Sequence, residues 1–162
     1  MPDGAARAGQ APDLTLVPWH DADAATLRKE QQAELAARYD GVEDIEPVLP
    51  PQEMLATVLV RVGGRPVACG SLRALPDLGV GVGELKRMYV RPASRGRGLS
   101  RLVLTELEAR AAQAGLTRLI LETGVRQPEA IELYRSAGYL PIARYGPYVE
   151  EESSVCFARD VP

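Results

Sequence analysis

Between residues 84 and 114 the sequence passes from an alternating strand, through a basic glycine loop, straight into an amphipathic helix. Few folds accommodate that succession. In Glu84–Val90, Leu85, Arg87 and Tyr89 are expected on one side of a strand and Glu84, Lys86, Met88 and Val90 on the other. Arg91–Gly98 is basic and glycine-rich. Leu99, Leu102, Val103, Leu107 and Ala111 then recur at three- and four-residue intervals, and Gly115 supplies the stop. A helix N-terminus offers unpaired N–H groups and about half a positive charge, which attract phosphate. Gly96 and Gly98 let main-chain amides approach an anion, and Arg95, Arg97 and Arg101 add charge beside them. The segment reads as a diphosphate site. It lacks the Gly-Lys-Ser/Thr of a P-loop. A dinucleotide fingerprint spaces three glycines more widely and follows the first strand of its domain, whereas this loop follows the fourth.

The flanking sequence supplies the other elements. Leu14–Val17 reads as a first strand. Asp21 or Asp23 caps a helix running to about Tyr39, whose thin apolar stripe (Leu27, Leu35, Tyr39) is interrupted by Gln31. Residues 40–51 form an acidic, proline-containing loop. Ala56–Val62 and Pro66–Leu75 pair as a hairpin through Gly63-Gly64. Leu119–Leu121 is a buried strand core, Pro128 opens a helix that Gly138 closes, and short strands near Tyr139–Arg144 and Ser154–Ala158 finish the chain. This order predicts an α/β (α+β) fold: a mixed, mostly antiparallel sheet of about six or seven strands with helices on both faces. Residues 13–162 are expected to form a single domain behind a flexible tail at 1–12.

Composition removes several function classes. A hydrophobic share of 46% and a charged share of 25% exclude a disordered chain. No apolar run approaches the ~18–20 residues of a membrane helix, and the first residues lack a secretory apolar core, so a cytoplasmic protein without membrane partner is expected. His20 is the only histidine, which leaves no material for a zinc site or a Ser-His-Asp triad, and no metal is expected. Cys69 and Cys156 sit in apolar stretches as packing thiols. The net charge of −3 argues against a nucleic-acid partner.

Arg95-Gly96-Arg97-Gly98-Leu99-Ser100 resembles the Arg/Gln-x-x-Gly-x-Gly/Ala signature of the GNAT N-acetyltransferase superfamily. Met88-Tyr89-Val90-Arg91-Pro92 is similar to the strand exit before that signature. The run from Ala130 to Tyr139 resembles its second signature, an Ala-x-x-Leu-Tyr run ending in glycine plus an aromatic residue. Two departures are Ser100, where glycine or alanine is usual, and Gln127, where many relatives carry asparagine.

The resemblance implies acetyl transfer from acetyl-CoA to a primary amine, with the family's homodimers as a precedent for assembly. It implies coenzyme contacts from Met88, Tyr89 and Val90 on the fourth strand, from Arg95, Gly96, Arg97, Gly98, Leu99, Ser100 and Arg101 in the loop, and from Gln127. Tyr134 takes the position of the family's general acid. Glu84 matches a position used as general base, and Glu122, on the next strand, is a second candidate. Acidic loops containing Glu46 and Glu150, together with Gln31, are expected on the acceptor side. A small-molecule acceptor is the first expectation. Two alternatives stay open: acetylation of a protein N-terminus or lysine, and a non-catalytic coenzyme-A-binding regulatory module.

Overall fold

A computed structural model describes residues 10–41 and 49–162. The chain runs β1 (Asp13–Val17), α1 (Ala22–Arg38), β2 (Met54–Val62), β3 (Arg65–Ala74), β4 (Val82–Val90), α2 (Leu99–Gln113), β5 (Arg118–Gly124), α3 (Pro128–Ser136), β6 (Leu140–Ile142) and β7 (Ser154–Asp160). Of the two candidate caps for α1, Asp21 is the one used: its carboxylate accepts the Ala24 amide at 3.0 Å. Gly63 and Gly64, both at positive φ, close the β2–β3 hairpin as expected.

The sheet has seven strands in the order β1-β2-β3-β4-β5-β7-β6. Every neighbouring pair is antiparallel except β4 and β5, which are parallel and joined through α2. Helices cover both faces, as the sequence predicts. On one face Leu27 of α1 packs against Leu59, Cys69 and Tyr89. On the other, Leu99, Val103, Leu104, Leu107 and Ala111 of α2 meet Val58, Val60, Leu85 and Leu121, and Tyr134 of α3 joins the same core. Each such buried leucine contributes roughly 1.5–3 kcal/mol of transfer free energy. Both cysteines are buried and free, and burial pushes Cys69 up to about 12 and Cys156 up to about 11.

The expected alternation of β4 is corrected by a bulge. Arg87 has φ +59°, and the register with β3 slips between the pairs Cys69↔Tyr89 and Ser71↔Lys86. The extra residue turns the strand by one position. Leu85 therefore shares the α2 face with Met88 and Val90, while Tyr89 lies on the α1 face. Leu85 and Tyr89 are on opposite faces, not the same one.

A second irregularity sits beside the bulge. β4 and β5 pair only through Val82↔Arg118, Gly83↔Leu119 and Glu84↔Ile120. Past that point the two strands part. The stretch Leu85–Val90 keeps β3 on one edge and, among the described residues, has no strand on the other.

Candidate active site

The gap between the parted strands opens into a cavity of about 700 Å³. Its walls are Leu85–Val90 of β4, Glu122–Gly124 of β5, the C-terminal half of α1, the start of α2 and one face of α3. Glu151 and Ser153 before β7, and Ser154 at its start, also line it.

At one end stands the basic loop. Gly96 and Gly98 line the cavity at φ +78° and +76°, and Gly98 is the left-handed N-cap residue of α2. A side chain at either glycine would meet no atom, so the need for glycine is one of backbone conformation. The first helical bond of α2 runs from Leu102 N to Gly98 O at 3.1 Å. The amides of Leu99 and Ser100 precede it and face no intrahelical acceptor. Leu99 and Ser100 both line the cavity, as do Met88, Tyr89, Val90, Arg95 and Gln127.

The three loop arginines have different fates. Arg95 lies on the cavity wall with its Nε donating to Val90 O at 2.9 Å and its Nη2 to Glu34 Oε2 at 2.8 Å. That bond to Glu34 raises the Arg95 pKa above its ordinary value. Arg101 turns away and donates to Ser136 Oγ, tying α2 to the end of α3. Arg97 is exposed beside the loop. Neither Arg97 nor Arg101 lines the cavity.

Tyr134 and Glu122 both line the cavity. Tyr134 is 5% exposed and its ring meets Tyr139 edge-on at 5.7 Å. Burial first, and the charge of Glu122 second, push the Tyr134 hydroxyl well above the ordinary tyrosine range. It is therefore a proton donor throughout the neutral range. Glu84 is elsewhere. It is 1% exposed, accepts Arg73 Nε at 2.7 Å and Tyr145 Oη at 2.6 Å, and does not line the cavity.

Gln31 lines the cavity at 8% exposure. Its Nε2 donates to Met88 O at 2.8 Å, at the bulge, while its buried Oε1 has no hydrogen-bond partner among the described residues. Glu150 is exposed and outside the cavity, where its neighbour Glu151 takes part instead. Glu46 lies outside the described residues.

Several cavity residues were not among those singled out from the sequence. Lys86, 4% exposed, donates to Tyr148 Oη at 2.8 Å, and the Tyr148 ring meets Tyr145 edge-on. Tyr39 seats the last turn of α1 on the β5–α3 connection. Its hydroxyl accepts the Arg126 amide at 3.2 Å and lies 3.5 Å from Gln127 Oε1. A Cβ at Gly124 would fall 1.6 Å from that hydroxyl, so only glycine admits the tyrosine. Gln127 Oε1 also accepts the Gly124 amide at 3.0 Å, which makes it an organiser of this turn. Arg38 and Arg126 exchange side chain-to-carbonyl bonds at 3.2 and 2.9 Å across the same junction. For Glu34 and Arg38 the available signal was their i,i+4 spacing on α1; Lys86, Tyr39 and Gly124 had no local one.

Comparison with known proteins places this architecture. Residues 16–139 match the model of the acetyltransferase (GNAT) family. An "IAA acetyltransferase" of Azospirillum brasilense is 42% identical over 91 residues, which is 56% of this chain and 58% of that protein. An uncharacterised N-acetyltransferase of Escherichia coli is 33% identical over 81 residues, 50% of this chain and 48% of the other. The alignments thus span about half the length of these curated relatives. Among solved structures, a Klebsiella pneumoniae protein provisionally described as an acyl-CoA N-acyltransferase superposes with TM-score 0.76 at 32% identity, over 93% of this chain and 97% of its own. An N-acetyltransferase of Thermoplasma acidophilum in complex with coenzyme A shares the fold at TM-score 0.68 and 13% identity, over 93% and 99% of the two chains.

Proposed function

The chain belongs to the acetyltransferase (GNAT) family, and on that premise we propose that it moves an acetyl group from acetyl-CoA to the primary amine of a small molecule. The observation that carries the reading is the parting of β4 and β5 beyond Glu84↔Ile120. It opens one continuous cavity with a phosphate loop at one end and Tyr134 and Glu122 inside. The residues present suit the coenzyme. The free edge of Leu85–Val90 offers main-chain groups for the amides of a pantetheine arm. The amides of Leu99 and Ser100, with Gly96 and Gly98 beside them, offer donors to a diphosphate.

The thioester supplies the activated acetyl group. A main-chain N–H on the free edge of β4 stabilises the negative charge that grows on its carbonyl oxygen, an effect worth ~3 kcal/mol of barrier. An alkyl ammonium with pKa about 10.4 must lose a proton before it attacks. Glu122 lines the cavity and takes that proton, directly or through water. Glu84 is sealed between Arg73 and Tyr145 and serves the structure instead. As the new C–N bond forms and the C–S bond breaks, Tyr134 presents its O–H to the departing sulfur. Its raised pKa keeps the hydroxyl protonated at neutral pH, so it can offer a hydrogen bond to the sulfur as charge develops there. The junction of Tyr39, Arg38 and Arg126 ties the end of α1 to the β5–α3 connection at the cavity wall.

Two measurements test the reading. Acetyl-CoA at 100 times its dissociation constant should add ~2.7 kcal/mol of stability. A Tyr134→Phe variant should lose roughly 100-fold or more in kcat while coenzyme affinity stays near wild type. Absence of any coenzyme-dependent thermal shift would remove the enzyme reading. Normal turnover by Tyr134→Phe would remove the acid role alone.

A further inference from the structure

The phosphate end of the cavity carries a feature that works against phosphate. Glu34 of α1 lines it, within 2.8 Å of the Arg95 guanidinium. A carboxylate beside an anion-binding loop repels the ligand and occupies the cation meant for it. Glu34 also has a second cation within reach: Arg38 Nη2, one helical turn on, is 3.8 Å away. Arg38 is itself paired to Glu129, which lines the same cavity. Arg95 is anchored at its other nitrogen, since Nε donates to Val90 O. Its Nη2 can therefore change partner while the side chain stays in place.

We propose that Glu34 is a built-in competitor for the coenzyme diphosphate, and that binding transfers Arg95 from Glu34 to phosphate while Glu34 falls back on Arg38. The inference rests on coenzyme A occupying this cavity. It assigns Glu34 a role in affinity and release. The carboxylate weakens the grip on coenzyme A and speeds departure of the product, the step that limits many enzymes of this kind of cycle. Glu34 touches no reacting atom and is a specificity-determining residue for the nucleotide end. The arithmetic agrees in sign: removing a negative charge near two phosphates can only reduce repulsion, and it leaves Arg95 with one partner fewer to give up. The opposite role, Glu34 as a brace that holds Arg95 ready, has the opposite sign.

Equilibrium binding of coenzyme A and of pantetheine, which lacks the diphosphate, separates the two. Glu34→Gln should bind coenzyme A several-fold more tightly, with slower dissociation, and bind pantetheine as wild type does. Arg95→Gln should bind coenzyme A more weakly. In the Arg95→Gln background, Glu34→Gln should lose most of its benefit, because the competition needs both partners. Weaker coenzyme binding by Glu34→Gln, in a variant with wild-type unfolding temperature, overturns the proposal in favour of a brace. An equal gain with pantetheine, or an undiminished gain without Arg95, overturns it as well. If Glu34→Gln is unstable, Arg38→Gln gives an independent reading: it removes the fallback, so it should weaken coenzyme A binding, and unchanged binding counts against the exchange. Failure of wild type to bind coenzyme A at all would instead sink the functional reading.

Discussion

The two ends of the cavity are made of different material. The phosphate end is main chain: two glycines at positive φ, the first amides of α2, and the bare edge of β4, nearly all from residues 85–100. The inner end is side chain: Gln31 from α1, Lys86 from β4, Glu122 from β5, Tyr134 from α3 and Glu151 from the segment before β7. A main-chain site depends first on backbone conformation, and here Arg95 and its partner Glu34 add side-chain charge to it. A side-chain site depends on the identity of each residue and on the network that fixes it. The contrast is sharpest between two carboxylates on neighbouring strands. Glu84 is locked by an arginine and a tyrosine, and Glu122 faces the cavity.

That pair gives the largest expected effects. Among the described residues, Glu84→Ala would leave Arg73 with only the exposed Glu53 contact at 3.2 Å, and would strip Tyr145 of its acceptor. Breaking a buried pair costs about 3 kcal/mol or more, which in a domain of this size lowers Tm by roughly 10 °C. Glu122→Gln, in the cavity wall, should lose kcat by a factor on the order of 100. Thermal unfolding and steady-state kinetics on both variants would check this. A catalytic defect in a thermally normal Glu84→Gln enzyme would break the division between the two carboxylates.

At the phosphate end, Gly98→Ala is the informative change. The added methyl group meets nothing, so the strain of a left-handed residue, about 1–2 kcal/mol, acts alone. The variant should lose about that much stability or coenzyme affinity, according to whether the loop holds its shape. Arg97→Gln, altering an exposed side chain, should change coenzyme binding far less. If Arg97→Gln proves the more damaging, the site is one of side-chain charge and not of backbone.

The same division explains what could be read from the sequence. The phosphate end is contiguous, and each part has a local signature: glycines between arginines, then an apolar 3–4 periodicity. The element order and sheet class follow from similar local patterns. The inner end is assembled by tertiary contact. Nothing local announces that Tyr145 reaches Glu84 across 61 positions, or that Tyr39 meets Gly124. Gln31 was visible because it interrupts an apolar stripe. The bulge at Arg87 was not, because an arginine at positive φ has no residue-type signal. It reversed the faces assigned within β4.

Helix α1 joins the two ends, and its smallest tie offers the finest test. Glu30 receives Arg91 through two bonds, at 2.9 and 2.7 Å, just where β4 leaves for the phosphate loop. The hydrogen bonds from Arg91 lower the Glu30 pKa below its ordinary value. A depressed carboxyl pKa gives stability that is present above the unfolded value and lost as pH falls through the folded one. Wild type should therefore exceed Glu30→Gln in stability at neutral pH, and the gap should close on acidification. The pair is about a third exposed, so the gap is discounted to ~0.5 kcal/mol. Urea unfolding of both proteins at neutral and acidic pH would measure it. A gap that persists at acidic pH would mean that Glu30 holds α1 to the loop by packing, and that charge plays no part in joining the two ends.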